Sequence, residues 1–390
     1  MRRLILWLLA GSFIWAEDTL AESAADEAVI YSFRKNGSDG QLPEAQLLER
    51  DGKLYGTTFY GGADLYGTVF SVDPTSGVGK VLHTFTGERD GDGAAPLAGL
   101  INFGGKLYGT TWGGGKYGFG TVFAIDPNTG KENVLYSFTG SPDGAGPSAA
   151  LVDVNGVLYG TTSGGGRFLE GTVFAIDPAS GRETVPYSFS GDCFQGGGGD
   201  ACEPSAPLID VGGTLYGTTA EGGLNDFGAV FSFDPITGTE FVLYSFGNGT
   251  DGGYPYAGLL EVDGKLYGTC YEGGTSRNGV IFSMDPSTGG ETVIHSFTGS
   301  SDGRQPKGTL IPVHNNLYGT TVAGGSSDHG TVFVVNRVTS VETVLHAFGR
   351  SGSGDGWNPQ TGLIHVGPEL YGTTRDGGAH NAGTVFQVVR

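Results

Sequence analysis

The stretch KLYGTTFYGG, residues 53–62, decides the fold, because nearly the same string returns six more times. Its LYGT core starts at Leu54, Leu107, Leu158, Leu215, Leu266, Leu317 and Leu370, at spacings of 53, 51, 57, 51, 51 and 53 residues. The longest spacing contains the insertion GDCFQGGGGDACEP, residues 191–204. A period near 50 marks a propeller or a solenoid, in which each repeat is one supersecondary unit.

Each repeat divides into four strand signals. In the second copy they are PLAGLINFGG (96–105), KLYGTTWGGG (106–115), GTVFAIDP (120–127) and KENVLYSF (131–138). All are rich in β-branched and aromatic residues and are bounded by Gly, Pro or Asp. DPNTG (126–130) is hairpin punctuation, with Pro fixing φ and Gly taking the positive φ. Four antiparallel strands per repeat predict an all-β propeller blade. Gly-Thr-Thr reads as packing chemistry, small where the blades converge near the axis, with the Phe and Tyr of TVF and LYSF filling the wider gap outside.

The two ends select a closed ring. The last repeat stops at GTVFQVVR (383–390), one strand short, while AVIYSF (28–33) is a fourth-strand sequence with no blade before it. Joining them completes a seventh blade and removes the open sheet edges. The expectation is a single seven-bladed domain over residues 28–390, closed by its N-terminal strand.

Composition agrees with this. The 74 Gly lack the every-third-residue spacing of collagen, and 23 Phe and 17 Tyr argue against disorder. No stretch reads as a long amphipathic helix. The leader MRRLILWLLAGSFIWAEDTLAES reads as a signal peptide within residues 1–21, with cleavage near Ala16 or Ala21. Its apolar run falls short of the ~20 residues of a spanning helix. A secreted or periplasmic, monomeric protein with no membrane span after cleavage follows. The net charge of −20 disfavours nucleic acid, and no nucleic-acid partner is expected, because such a surface repels phosphate backbones. Cys193 and Cys202 in the insertion are expected to form a disulfide after export, and Cys270 to be a buried thiol. Three Cys without clustered His give no zinc site.

LYGTTxxGG, GTVFxxDP and VLYSF resemble the GloVer-type tandem repeat of exported bacterial proteins over Val29–Arg390. The resemblance implies export and a propeller-like β fold, and it carries over no catalytic residue.

A site is expected on the face that holds the fourth-to-first and second-to-third connections, since variable loops on a rigid frame carry function. The first of these connections contains an invariant Asp-x-x-x-Pro: Asp39/Pro43, Asp92/Pro96, Asp143/Pro147, Asp200/Pro204, Asp251/Pro255, Asp302/Pro306 and Asp355/Pro359. Its sevenfold repetition reads as local turns. A ring of carboxylates that binds calcium is the alternative, and no other cofactor is implied. Residues that break the repeat are the better candidates. Tyr60, Trp112, Arg167, Tyr271, Arg277 and Trp357 suit a sugar, with aromatic faces for stacking and cations for hydroxyl or carboxylate groups. Tyr254, Tyr256, Arg304 and Lys307 join them on the same face.

The expected partner is thus an extracellular glycan or small molecule, bound by an exported propeller. Whether it is also an enzyme stays open. A polysaccharide lyase acting on an acidic glycan would use His329, Arg375 and His380, and a glycoside hydrolase would use Glu221 and Glu272. A structural or protein-interaction scaffold is the third class. No G-x-S-x-G, P-loop or H-E-x-x-H motif occurs.

Overall fold

The computed structural model describes residues 27–191, 199–349 and 354–390. Seven antiparallel blades make it up. The first blade runs Leu48–Arg50, Lys53–Thr58, Thr68–Asp73 and Val78–Thr84, in that order across its sheet. The last runs Ile364–Val366, Glu369–Thr374 and Thr384–Val389, and Glu27–Ser32 from the other end of the chain is its fourth strand. The register is Glu27↔Val388 to Ser32↔Thr384, with a bulge between Val29 and Tyr31. Blade 1 has the same bulge, between Val69 and Phe70, so the closing pair repeats the geometry of an uninterrupted blade.

What holds neighbouring blades together is a ladder of buried phenylalanines. The Phe that ends each YSF-like strand meets the Phe of GTVF in the next blade edge to face. Phe85–Phe123, Phe189–Phe231 and Phe297–Phe333 have ring centroids 5.2 Å apart. Phe33–Phe70 closes the ring at 5.0 Å. Such pairs add about 0.5–1.5 kcal/mol beyond the area they bury.

The same ring explains the glycine of LYGT. Gly56 pairs across strands with Phe70, and a Cβ there would lie 2.7 Å from the Phe70 ring; Gly319 stands 2.5 Å from Phe333 by the same measure. The glycine therefore admits the aromatic ring of its own blade, which corrects the expectation that convergence of neighbouring backbones requires it. The threonine after it does reach the neighbour: Thr57, Thr110, Thr218 and Thr320 donate to the carbonyls of Ala98, Ala149, Ala257 and Thr361 in the next blade. The second threonine bonds within its blade, as Thr58 does to Thr68 at 2.9 Å. In blade 5 both partners change together, to Cys270 opposite Val280, and the thiol is buried and unoxidised as the sequence predicts.

Asp-x-x-x-Pro forms the blade-to-blade crossing. Each Asp accepts the backbone N–H just after a YSF-like strand, as from Arg34, Thr86 and Thr298. Each also takes the Tyr or His of that strand, as in Tyr31–Asp39 at 2.8 Å and His346–Asp355 at 3.2 Å. Each Pro then packs over the glycine of GTVF in the preceding blade. At Gly67, where φ is +95°, a Cβ would stand 2.6 Å from Pro96 Cδ. The turn reading of the motif accounts for both invariant residues.

Cys193 and the leader, residues 1–26, lie outside the described residues, and with them the disulfide and signal-peptide expectations. Among the described residues, no helix is long and apolar enough to cross a membrane.

Candidate functional site: an axial cavity

The first strands touch one another across neighbouring blades, as Val152–Val154 does Ile209–Val211, so they line the axis and the fourth strands lie outermost. The two loops that open on one face pair with each other within a blade. Gly40–Gln41 bonds Tyr60–Gly61, and Gly356–Trp357 bonds Asp376–Gly377. At the centre of this face lies a cavity of about 360 Å³ that all seven blades line.

Its wall is built from the residues after the seven invariant prolines. Blade by blade these are Glu44, Leu97, Ser148, Ser205, Tyr256, Lys307 and Gln360, all lining the cavity, with Trp112 and Ser163 added from second-to-third loops. The proline and the strand that follows place each of these residues at the same point of its repeat, on the cavity wall. One position in the repeat thus supplies a ring of different groups, while the proline before it stays constant and the residue after it stays small, Ala in five copies, then Gly308 and Thr361.

The ring has two sides. On blades 6, 7 and 1 a hydrogen-bonded arc runs from Lys307 Nζ to Gln360 Oε1 at 2.7 Å, and from Gln360 Nε2 to Asn358 Oδ1 at 3.3 Å. It continues from Asn358 Nδ2 to Asp376 Oδ2 at 3.1 Å. Arg375 ends it, donating to Glu44 Oε1 at 2.6 Å and meeting Asp376 at 3.4 Å. Burial holds the Lys307 ammonium below the usual lysine range; Glu44 opposes that effect and Arg375 adds to it. On blades 2 to 5 the wall is Leu97, Trp112, three serines and Tyr256, whose ring lies 6.0 Å from Lys307 Nζ. Burial, then the carboxylate of Glu221, raises the Tyr256 phenol. The arrangement can stack an apolar ring face on one side and exchange hydrogen bonds on the other.

Of the residues singled out in the sequence, Trp112, Tyr256 and Lys307 line the cavity. Tyr271 is one step out, edge-on to Tyr256 at 5.5 Å, and Arg375 acts through Glu44. Tyr60 is exposed in its ribbon, and Arg277 is exposed at φ +58°. Arg167 covers Phe168 and lines a second hollow, with Tyr136, Asp143 and Glu183 between blades 2 and 3. Trp357 packs edge-on against His329 at 5.3 Å, and His380 is exposed. Among the described residues, no hydrogen bond or ion pair joins His329, Arg375 and His380, and neither histidine lines the cavity. Glu221 and Glu272 lie in strand pairs of blades 4 and 5, and the Glu221 carboxyl is raised by burial, Glu203 and Asp226. Glu44, Gln46, Leu97, Ser148, Ser205 and Gln360 were not anticipated. Comparison of the seven copies at the residue after proline would have found most of them, since it is a variable position directly after an invariant one.

For a metal, the seams between blades are the places that gather donors. His83, Asp92 and Glu132, and likewise Glu27, His346 and Asp355, bring ligand atoms within 4.8 Å of one another. One imidazole with two carboxylates suits a transition metal better than calcium. Other seams put a tyrosine where these have histidine, such as Tyr136 donating to Asp143 at 2.6 Å. The seven Asp thus stand one per seam, engaged in their turns.

The fold and this cavity define a seven-bladed β-propeller with an axial pocket on its loop face. The chain belongs to the Gloeobacter/Verrucomicrobia repeat family, whose model matches residues 19–198, 192–314 and 300–390. Among solved structures it is similar to one described as an oligogalacturonate lyase in complex with manganese, with TM-score 0.57, 14% identity, and 95% of this chain and 94% of that one covered. It is also similar to the extracellular domain of a hybrid two-component system from B. thetaiotaomicron, with TM-score 0.57 and 12% identity over 93% of this chain and 39% of that one. At these identities the likeness is one of fold. No curated protein sequence matches the chain.

Proposed function

We propose that this protein is an exported propeller that binds a carbohydrate in its axial cavity. The observation that carries the reading is the cavity wall, with Tyr256 beside Lys307, Trp112 across the ring from the charged and amide groups of blades 6, 7 and 1, and serine hydroxyls between the two aromatics. That is the mixture a sugar needs, with flat apolar C–H faces and dense hydroxyl edges. The purified protein, titrated against a panel of oligosaccharides by calorimetry, tests it. Trp112→Ala with Tyr256→Ala is expected to weaken binding by about 100-fold, since each lost aromatic contact costs up to about 1.5 kcal/mol and roughly 1.4 kcal/mol is tenfold. Unchanged affinity in the double variant sinks the sugar-stacking reading.

A polysaccharide lyase is the second reading, favoured by the depressed Lys307 ammonium beside the Tyr256 ring. The same titrations, followed by ultraviolet absorbance for an unsaturated uronate, decide between binding and cleavage. If His329, Arg375 and His380 serve such a reaction, they do so outside the cavity. No cofactor enters the binding reading; calcium at the ring of turn Asp carboxylates is the alternative. Tight capture of a protein with no glycan bound would favour the scaffold.

Export also implies the Cys193–Cys202 disulfide, which would fasten the insertion to the Ala201–Cys202 strand beside Glu221. Alkylation of the denatured, unreduced protein is expected to label Cys270 alone, and three labels would exclude the bond.

A further inference from the structure

The most informative atom in the cavity is Lys307 Nζ. Among the residues lining the cavity, Lys307 is the one cation and Glu44 the one carboxylate. Glu44 is already taken: its Oε1 accepts from Arg375 Nε at 2.6 Å, and its side chain is only 14% exposed. Among the described residues no carboxylate lies within ion-pair distance of Lys307, and its hydrogen bond goes to the neutral amide of Gln360 at 2.7 Å. An ammonium has three donors, so two N–H groups are left without a protein acceptor. A desolvated cation with a neutral partner is costly unless something else supplies the opposite charge.

We propose that the axial cavity is a subsite for an acidic sugar, whose anionic substituent pairs with Lys307 while its ring lies against the neighbouring Tyr256. This rests on the carbohydrate reading above and narrows it to sugars bearing a carboxylate or a sulfate ester. The paired Arg375–Glu44 keeps the neighbouring carboxylate from competing for the lysine. Gln360 orients the ammonium without neutralising it. The net charge of −20 repels anions at long range, so attraction is confined to the cavity. A sugar carrying one charge is therefore favoured over a densely charged polymer.

The test compares acidic and neutral sugars of the same skeleton on the intact protein. D-Glucuronate and D-galacturonate are titrated against D-glucose and D-galactose, with galactose 6-sulfate separating a carboxylate from a sulfate ester. The acidic member is expected to bind about tenfold tighter or more, as a charge-assisted hydrogen bond in a partly buried site requires. Lys307→Met should abolish that preference, weakening the acidic sugars far more than the neutral ones, and a melting curve like the parent's shows that the variant folds. Lys307→Arg, which keeps the charge, should retain part of the preference. If the wild type binds neutral and acidic sugars alike, the proposal fails while the carbohydrate reading stands. If Lys307→Met lowers both equally, the lysine is a structural element of the wall and the proposal fails again. If no sugar binds, both readings fall. Should Lys307→Met not fold, the wild-type ratio decides alone, and a preference below about threefold overturns the proposal.

Discussion

Removing Glu27–Phe33 is expected to abolish cooperative melting of the whole propeller, although the segment is a single strand at one end of the chain. Those residues are the fourth strand of blade 7 and half of the last rung of the phenylalanine ladder. Without them Thr384–Val389 becomes an open edge, and Phe70 in blade 1 faces solvent where Phe33 stood. The single substitution Phe33→Ala isolates the rung. Phe33 is fully buried, and such a truncation costs about 3–5 kcal/mol, a large part of a typical 5–15 kcal/mol total. A circular permutant separates loss of the strand from loss of chain order. Residues 27–33 are attached after Arg390 through a hairpin like that at Asp73–Gly77, so that the last blade becomes contiguous like the other six. The permutant should melt as the parent does. A deletion variant with the parent's melting curve, or a permutant that stays unfolded, would contradict closure by this strand.

Closure was legible because it is a question of arithmetic: GTVFQVVR lacks a strand and AVIYSF has one to spare. The Asp-x-x-x-Pro turn was legible for the same reason, since seven copies cannot all be one site. The physical cause of the LYGT glycine was not, because a repeat shows that a residue is small without showing what lies over it. Only the cross-strand pairing of Gly56 with Phe70 reveals the ring it admits. The cavity was half legible. Trp112, Tyr256 and Lys307 stood out as breaks in the pattern, yet so did Arg277 and His380, which the structure leaves exposed away from it. Distance from the axis separates the two groups. It depends on which strand is innermost and on how far along a loop a residue sits, and neither is written in residue type. Glu44 and Gln360 escaped for a related reason, being unremarkable polar residues until the ring brings them beside Lys307.

The seams between blades should make stability fall as pH rises through neutrality, against the habit of carboxylates that stabilise when ionised. The fourth strands carry Glu27, Glu132, Glu183, Glu240, Glu291 and Glu342 as their first or second residue, each beside the turn Asp of the preceding blade; blade 1 has Gly79 there, against the Tyr31 ring. Burial first and the neighbouring Asp second push Glu132, Glu183, Glu291 and Glu342 up to about 7, and Glu240 up to about 8. Glu27 reaches about 7 by the same two causes, with Asp355 as its neighbour. The Oε1 atom of each is buried without a hydrogen-bond partner. A pKa raised on folding means that the folded state holds its proton more tightly. The stabilisation is therefore complete below the unfolded value near 4.5 and is lost as pH climbs through 7 to 8. At about 1.4 kcal/mol per pKa unit the six together would exceed the stability of a whole domain. The seams must therefore relax and admit water as they ionise, and about 1 kcal/mol per seam is the expected scale. Melting temperature should then drop by several degrees between pH 5 and pH 8.5, steeply because six sites titrate together. Glu240→Gln removes the charge from the most perturbed seam while keeping an acceptor for Tyr187, which approaches Glu240 Oε2 at 3.3 Å. It should be neutral at pH 5 and stabilising at pH 8.5. A flat melting profile over that range would show that the seam glutamates are ionised at no cost, and equal destabilisation by Glu240→Gln at both pH values would show that the residue serves packing alone.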